Sequence, residues 1–404
     1  MSTKVLVLGG GKVGKSVAEL FLMCGGGRYH VTLADRDEAN LREAEGNLRR
    51  LAARVPHAGA FEIRRVDASD EAQTRGVLRG MDSVVCMLPY QIVGKIPALA
   101  NETGVNYFDV TEDVKATESV RALHNSGQAR VALVPQCGLA PGYIAIAANH
   151  VARQFDTIHD LTLRVGALPQ FPTNALKYNV TWSAAGLVNE YCELCNVMLS
   201  GQMIKAPALE GLEHFSFEGV EYEAFYTSGG VGSLIETLGA AGKTGPTTNI
   251  AYKTIRYPGH RDLMKFLVQD LRLGLDKVEA SAGGRKFDRA ALIDLFDTTV
   301  PRTYQDVVVI FINGVGLRDG RRHQINLRKI IRAQDLFGRV WPAIESTTAA
   351  GVCAMVDLHR EGKLPARTGF IRQEDVSLEA FNATSFGQVY EDITKVEGRA
   401  GARG

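Results

Sequence analysis

Long apolar runs are missing from the sequence: no uninterrupted stretch nears the ~18 residues that a membrane-spanning helix requires, so no membrane partner is expected. Nor does the chain open on a basic segment followed by an apolar core and a small-residue cleavage site. It runs straight into the strand-like VLVLGGG, and the expected address is cytoplasmic. Cysteine is sparse. The six thiols, at positions 24, 86, 137, 192, 195 and 353, form no disulfide framework in a chain of 404 residues and read as reduced. Cys192 and Cys195 make a C-x-x-C inside a predicted helix, but no second pair and no suitably spaced histidines accompany them, so no metal site is expected. Charge of one sign is lacking too. The 46 basic and 45 acidic residues leave a net charge of +1, and no basic block tracks a phosphate backbone, which excludes nucleic acid as an expected partner.

What is present is the composition of a globular protein, 45% hydrophobic and 23% charged, in a chain longer than one core usually supports. Two domains are expected. Over the first third, short apolar runs (VLVLG, YHVTLAD, FEIRRVD, SVVCMLP, NYFDVT, VALVPQ) alternate with amphipathic segments such as EANLREAEGNLRRLAARV, the pattern of a doubly wound α/β sheet. The stretch KVLVLGGGKVGKSVAEL at residues 4–20 satisfies two phosphate-binding patterns at once. Gly9, Gly11 and Gly14 spell G-x-G-x-x-G, while Gly9, Gly14, Lys15 and Ser16 spell G-x-x-x-x-G-K-S.

The second strand decides between them. It ends on Asp35, near where a dinucleotide fold needs a carboxylate for the adenosine ribose hydroxyls, and no second carboxylate or water-positioning group supports a magnesium-triphosphate reading. Gly9 then serves the tight turn, Gly11 the approach of the pyrophosphate, and Gly14 the packing of helix on strand, with Lys12 and Val13 completing the loop. Asp35 argues for NAD by repelling a 2′-phosphate. Arg36 keeps NADP open, since a guanidinium there binds that phosphate, stacks on adenine, or simply faces solvent. Asp67, closing the third strand, has two readings: contact with the adenine edge or a cap for the helix starting near Asp70. Leu88 and Pro89 after the fourth strand, Thr111 after the fifth, and Cys137, Gly138 and Leu139 after the sixth lie at the carboxyl edge where such sheets take ligands.

Six motifs together, LGGGKVG, VPQCGLAPG (134–142), YNVTWSAAGLVNEY (178–191), EAFYTSGG (223–230), KTIRYPGH (253–260) and GFIRQEDVSLEAF (369–381), resemble the saccharopine dehydrogenase family, and within it the lysine 6-dehydrogenase-like branch. The likeness runs from end to end. It implies an α/β fold with a Rossmann-type doubly wound parallel sheet at the amino terminus (residues 1–140). An inserted mixed α/β substrate and dimerisation domain (141–335) follows, then a carboxy-terminal segment (336–404) whose helix returns to the first domain. The long alternating segments after residue 152, such as IHDLTLRVGAL and DVVVIFINGVG, suit a sheet with one exposed face. A homodimer is expected.

The implied activity is oxidation of an amine-bearing carbon, or reduction of its imine, in a small amino-acid or amine substrate. Oxidative deamination of L-lysine to the semialdehyde leads. Reductive condensation of an aldehyde with an amine, as by a saccharopine reductase or a carboxynorspermidine-type dehydrogenase, is the alternative, and a dinucleotide-binding protein without turnover is a second. Such chemistry needs a stacked nicotinamide, a neutral amine and an anchored substrate carboxylate. By the resemblance Arg256 is that anchor, with Tyr178, Asn179 and Thr181 lining the pocket. Thr227 and Gly229 mark either a helper anion site or only a strand-to-helix turn. Asp109, Glu112 and His260 are the candidate proton acceptors, each with a bland alternative as a helix cap, a solvated side chain or a structural imidazole. Lys253, the one nominee for a second basic group, should face away from Arg256 on an alternating strand.

Overall fold

The computed structural model describes residues 2–276, 278–281, 284, 286–336 and 338–392. In chain order the first elements are β1 (Thr3–Leu8), α1 (Lys12–Cys24), β2 (Tyr29–Asp35), α2 (Glu38–Ala52), β3 (Ala60–Arg65), α3 (Glu71–Leu78), β4 (Ser83–Cys86), α4 (Tyr90–Val93), α5 (Ile96–Thr103), β5 (Asn106–Asp109), α6 (Val114–Asn125), β6 (Ala132–Val134) and α7 (Tyr143–Ala152). Aspartates start the exposed helices: Asp37, Asp70 and Asp113 each accept amide protons from the first turn of α2, α3 and α6.

The middle of the chain supplies β7 (Thr157–Pro169), α8 (Ala184–Cys192), β8 (Cys195–Leu199), β9 (Gln202–Ala206), β10 (Glu213–Phe217), β11 (Val220–Tyr226), α9 (Leu234–Ala240), β12 (Asn249–Arg256), α10 (His260–Lys265), a π-helical turn (Phe266–Asp270), α11 (Arg289–Thr299), β13 (Asp306–Arg318) and β14 (Arg321–Arg332). The last part adds β15 (Gln334–Leu336), β16 (Arg339–Trp341), α12 (Ala343–Arg360), β17 (Gly369–Phe370), α13 (Leu378–Ala383) and α14 (Val389–Asp392). Cys192 and Cys195 do not share a helix as the sequence pattern suggested. The first ends α8 and the second begins β8, because the chain turns at Glu193 and Leu194.

Two compact units result. One holds residues 1–146, 334–341 and 345–404; the other holds 147–333 and 342–344. The first unit is built on an all-parallel sheet in the order β17-β6-β5-β4-β1-β2-β3, the dinucleotide order extended by β17 at its β6 edge. Its central strands are apolar runs, with β4 buried throughout, while the edge strand β3 is half polar and only half-buried at best. The carboxy-terminal helix α12 belongs largely to this unit. It lies so close to the turn after β6 that a Cβ on Gly351 would sit 2.5 Å from the Cys137 carbonyl oxygen.

The second unit carries a mixed eight-stranded sheet. Its main path runs β10-β11-β12-β7-β13-β14, with β8 and β9 joined at β12. One face packs helices α8, α10 and α11 around Tyr178, Tyr191, Phe225 and Phe296. On the other, Leu168, Tyr222, Ile255 and Val309 cluster with the half-buried Phe215 and Phe217. No helix among the described residues is long and apolar enough to cross a membrane.

Candidate functional site

The carboxyl edge of the parallel sheet is shaped for a dinucleotide. Gly9 has φ +114, and a Cβ there would stand 2.8 Å from the Met87 carbonyl oxygen. A Cβ on Gly14 would land on the Gly9 carbonyl, so only glycine lets α1 start this close to β1. At Gly11, by contrast, nothing lies within 4 Å, and no side chain caps α1 and no acidic residue stands in its first turn. Open space at an uncapped helix end is the cradle a pyrophosphate requires. Lys12 and Val13, both half-buried, form that first turn.

The Asp35 carboxylate accepts the amide protons of Gly10 and, at 2.8 Å, of Asp37. It is thus fixed at the ribose end of the cradle. Beside it a cavity of about 690 Å³ is lined by Arg36, Asp37, Arg65, Asp67 and Gln73. Arg65 is paired with Glu38 at 2.9 Å, while Arg36 is exposed. Asp67 accepts from the Ser69 amide at 2.9 Å, and the cap of α3 is Asp70, so the capping reading of Asp67 gives way to a place on the cavity wall.

Further along the same edge, Asp109 is fully buried and holds three donors: the Tyr107 hydroxyl (2.7 Å), the Thr111 amide (3.0 Å) and the Gln136 amide (2.9 Å). Burial lifts its carboxyl to about 6 against those bonds. It ties the loop after β5 to the loop after β6. Glu112 differs. It is half-buried, bonds no described side chain, and burial raises its carboxyl, with the charges of Asp113 and Asp109 adding to the shift. Leu88 is half-buried, Pro89 exposed, and Thr111 receives the Asp113 amide at 3.1 Å.

Cys137 and Leu139 are buried. Burial pushes the Cys137 thiol well up, so it is no thiolate, and Gln373 donates to it at 3.3 Å. At Gly138 an added Cβ would meet the Pro141 carbonyl oxygen at 3.2 Å and Thr348 and Val110 at 3.5 Å, so the turn packs tightly there.

In the second unit β12 delivers Arg256 to the helix-covered face. The guanidinium is buried, donates to the Tyr191 hydroxyl (2.8 Å) and the Ile255 carbonyl (2.9 Å), and pairs with Glu190 at 3.2 Å. Its centre lies 5.2 Å from the Tyr178 ring and 5.8 Å from that of Tyr191. His260 opens α10 beside it. The Leu176 carbonyl, 2.9 Å away, can only accept, so Nδ1 carries the proton and Nε2 accepts from the Tyr191 hydroxyl at 3.1 Å. Burial, and then the Arg256 charge, pull this imidazole down to about 3. With no lone pair to spare, His260 is placed as an orienting group, not as a base.

Thr181 and Tyr178 are buried near this cluster; Asn179 turns to Thr173 instead. Thr227 shares a 2.7 Å hydrogen bond with Thr254, and Gly229 has φ +85 at the turn that follows. Glu223 accepts the amides of Gly259 and Arg261, so a carboxylate of the chain itself already occupies the start of α10. Lys253 sits on the opposite sheet face, 3.3 Å from Glu213.

Residues 5–134 match the family model of the saccharopine dehydrogenase NADP-binding domain, and residues 138–382 match that of the saccharopine dehydrogenase C-terminal domain. The chain belongs to the saccharopine dehydrogenase family. As a member it is an oxidoreductase that binds a nicotinamide dinucleotide. The apo saccharopine dehydrogenase (L-Glu forming) from Saccharomyces cerevisiae shares its fold at TM-score 0.70, with 15% identity over 97% of this chain and 98% of that one. DAP dehydrogenase from C. glutamicum, in complex with DAP, aligns over 98% of this chain and 99% of that one at 12% identity, with a TM-score of 0.46, too loose to argue from.

For a saccharopine dehydrogenase family member, two residues of the polar cluster escaped the sequence reading: Glu190 and Tyr191. Both stand in the YNVTWSAAGLVNEY motif. Which side chain of α8 turns toward a strand some sixty residues later is a packing outcome that helical period alone does not give.

Proposed function

We propose that the protein oxidises the amine-bearing carbon of an amino acid, in the manner of a lysine 6-dehydrogenase, forming an imine that water opens to the semialdehyde and ammonia. The observation that carries this reading is the buried Arg256–Glu190 pair flanked by the neutral phenols of Tyr178 and Tyr191. An amino-acid head group has the same two charges. Its carboxylate can take Arg256 and its ammonium Glu190 without stranding a buried charge, which is what makes such a pair exchangeable. Held this way, the α-nitrogen stays protonated and unreactive, and a distant ε-amine is left for oxidation.

The nicotinamide supplies the hydride acceptor. The chain's part is to hold the head group at Arg256, to keep that guanidinium oriented through Tyr191 and His260, and to take the amine proton on Glu112, whose carboxyl is made more basic by burial than that of an ordinary glutamate. NAD is the cofactor we assign, on the fixed Asp35 carboxylate. Arg36 and Arg65 are the residues that would serve NADP. Lys253 pointing to the other sheet face weighs against a condensing reductase, which needs a second carboxylate site beside the first. We further read the partner as a second copy. In support, the sheet face around Leu168, Tyr222 and Val309 leaves Phe215 and Phe217 half-buried, apolar surface that a second copy would cover. The six free thiols favour a cytoplasmic address.

The deciding experiment is NADH formation at 340 nm with L-lysine and NAD, repeated with NADP, with ornithine, and with an aldehyde plus an amino acid and NADPH. Lysine turnover that falls in Arg256→Lys supports the reading. NADPH consumption only in the paired mixture replaces it with condensation, and NADH binding without any turnover replaces it with a binding protein.

A further inference from the structure

The glycine turn delivers Lys12, the first residue of α1, to the helix end where the pyrophosphate of a dinucleotide lies. Its ammonium is already engaged. It pairs at 2.9 Å with Glu345, the third residue of α12, and Lys12 is a third exposed where Glu345 is almost wholly buried. Glu345 also accepts from the Ser16 hydroxyl and from Arg339, each at 3.1 Å. Arg339 pairs in turn with the buried Glu19 and lies 4.3 Å from the Trp341 ring. Two cations and two carboxylates thus close a neutral network within the first unit.

The two ends of the Lys12–Glu345 bond are not equal. Glu345 keeps Arg339, Ser16 and the amino-terminal dipole of α12 if the lysine leaves, so it needs Lys12 little. Lys12 has a long flexible stem and a half-open position, so it can leave. While it stays, its charge is cancelled, and an incoming pyrophosphate meets the bare end of α1 without a lysine.

We propose that Glu345 holds Lys12 off the pyrophosphate and thereby sets the affinity for the nicotinamide dinucleotide at a weaker value than the loop itself would give. Glu345 acts here as a positioning residue, and the strap 339–341 keeps it in place through Arg339. Nothing in this depends on which substrate is oxidised.

The test is titration of the folded protein with NADH by fluorescence, and with ADP-ribose by calorimetry, at several salt concentrations. Glu345→Gln should tighten both ligands roughly three- to tenfold, the scale of a half-exposed ion pair. It should also steepen the salt dependence by about one phosphate contact, which a merely structural change would not do. Lys12→Met should cancel the gain in the Glu345→Gln background. Unchanged affinity in Glu345→Gln overturns the proposal. So does a gain in Glu345→Gln that persists when Lys12 is also changed to methionine, which would mean that the lysine plays no part in it. If Glu345→Gln fails to fold, Glu345→Asp, whose shorter side chain draws the carboxylate back from Lys12, is titrated in its place by the same criteria.

Discussion

Two carboxylates at the end of β5 stand three residues apart in the sequence and end in different electrostatic situations. Asp109 accepts three hydrogen bonds, whereas Glu112 is raised by burial and by the neighbouring charges of Asp113 and Asp109. If Glu112 takes the amine proton, kcat/KM for amine oxidation should rise with pH through a group titrating above the ordinary carboxylate range, since only the ionised form accepts. Glu112→Gln should remove that limb and lower kcat/KM by roughly 10²–10⁴-fold, the range for a lost general base. A pH profile that keeps its limb in the variant would assign the proton elsewhere.

Asp109 makes its own prediction, on stability. Its carboxyl moves from 3.8 to about 6 on folding because burial outweighs its three bonds. A raised folded value means that the protonated form is favoured in the native state. The contribution is therefore whole below about pH 4 and lost as pH rises through 6. Asp109→Asn keeps two amide acceptor bonds and does not titrate. The stability of wild type minus that of the variant, from urea unfolding, should fall by roughly 3 kcal/mol between pH 3.5 and 7.5. His260 shifts in the opposite direction, losing stability as pH falls below its ordinary range, but it is present in both proteins and cancels in the difference. A flat difference would mean that Asp109 ionises as easily folded as unfolded.

Elements are where sequence pattern speaks most directly. Every strand of the parallel sheet up to β6 falls on an apolar run visible in the chain, and the α12 segment was expected as a helix returning to the first unit. Local chemistry settles such things. It did not settle the end of α8, where a C-x-x-C spans a turn into β8, or the segment after His260, which widens into a π turn at Phe266. Nor did it reveal that Gly351 of α12 packs on the turn at Cys137 and Gly138, or that Glu190 meets Arg256, because both depend on which faces pack together. Glycines make the distinction measurable. Gly46 lies within α2 with nothing within 4 Å of an added Cβ, and Gly46→Ala should stabilise by about 0.5–1 kcal/mol through backbone entropy and helix propensity. Gly351→Ala is the same change in another helix, yet its methyl would sit 2.5 Å from the Cys137 oxygen and 2.7 Å from that of Gly138. It should destabilise by about 1–3 kcal/mol as α12 is pushed off the loop. Thermal unfolding of the two variants should move in opposite directions; equal shifts would show that α12 packs more loosely than described.

At the scale of the whole molecule the chain builds its first unit from three pieces, 1–146, 334–341 and 345–404. The resemblance put a first domain at 1–140 and a returning segment at 336–404; β17, within that segment, pairs with β6. A ligand that binds only native protein at a hundred times its dissociation constant adds about 2.7 kcal/mol to whatever must unfold to release it. If the cradle at Gly9, Gly11, Gly14 and Asp35 is the dinucleotide site, that increment belongs to the first unit. Under saturating NADH, amides of β1, β2 and β4 that exchange only by unfolding of this unit should slow by roughly a hundredfold, while those of β7 and β13 lag behind. Hydrogen exchange read by mass spectrometry resolves these peptides. Equal slowing in β7 and β13 would show that the two units unfold as one. Protection confined to 249–260 would move the dinucleotide away from the glycine turn altogether and overturn the assignment of Asp35.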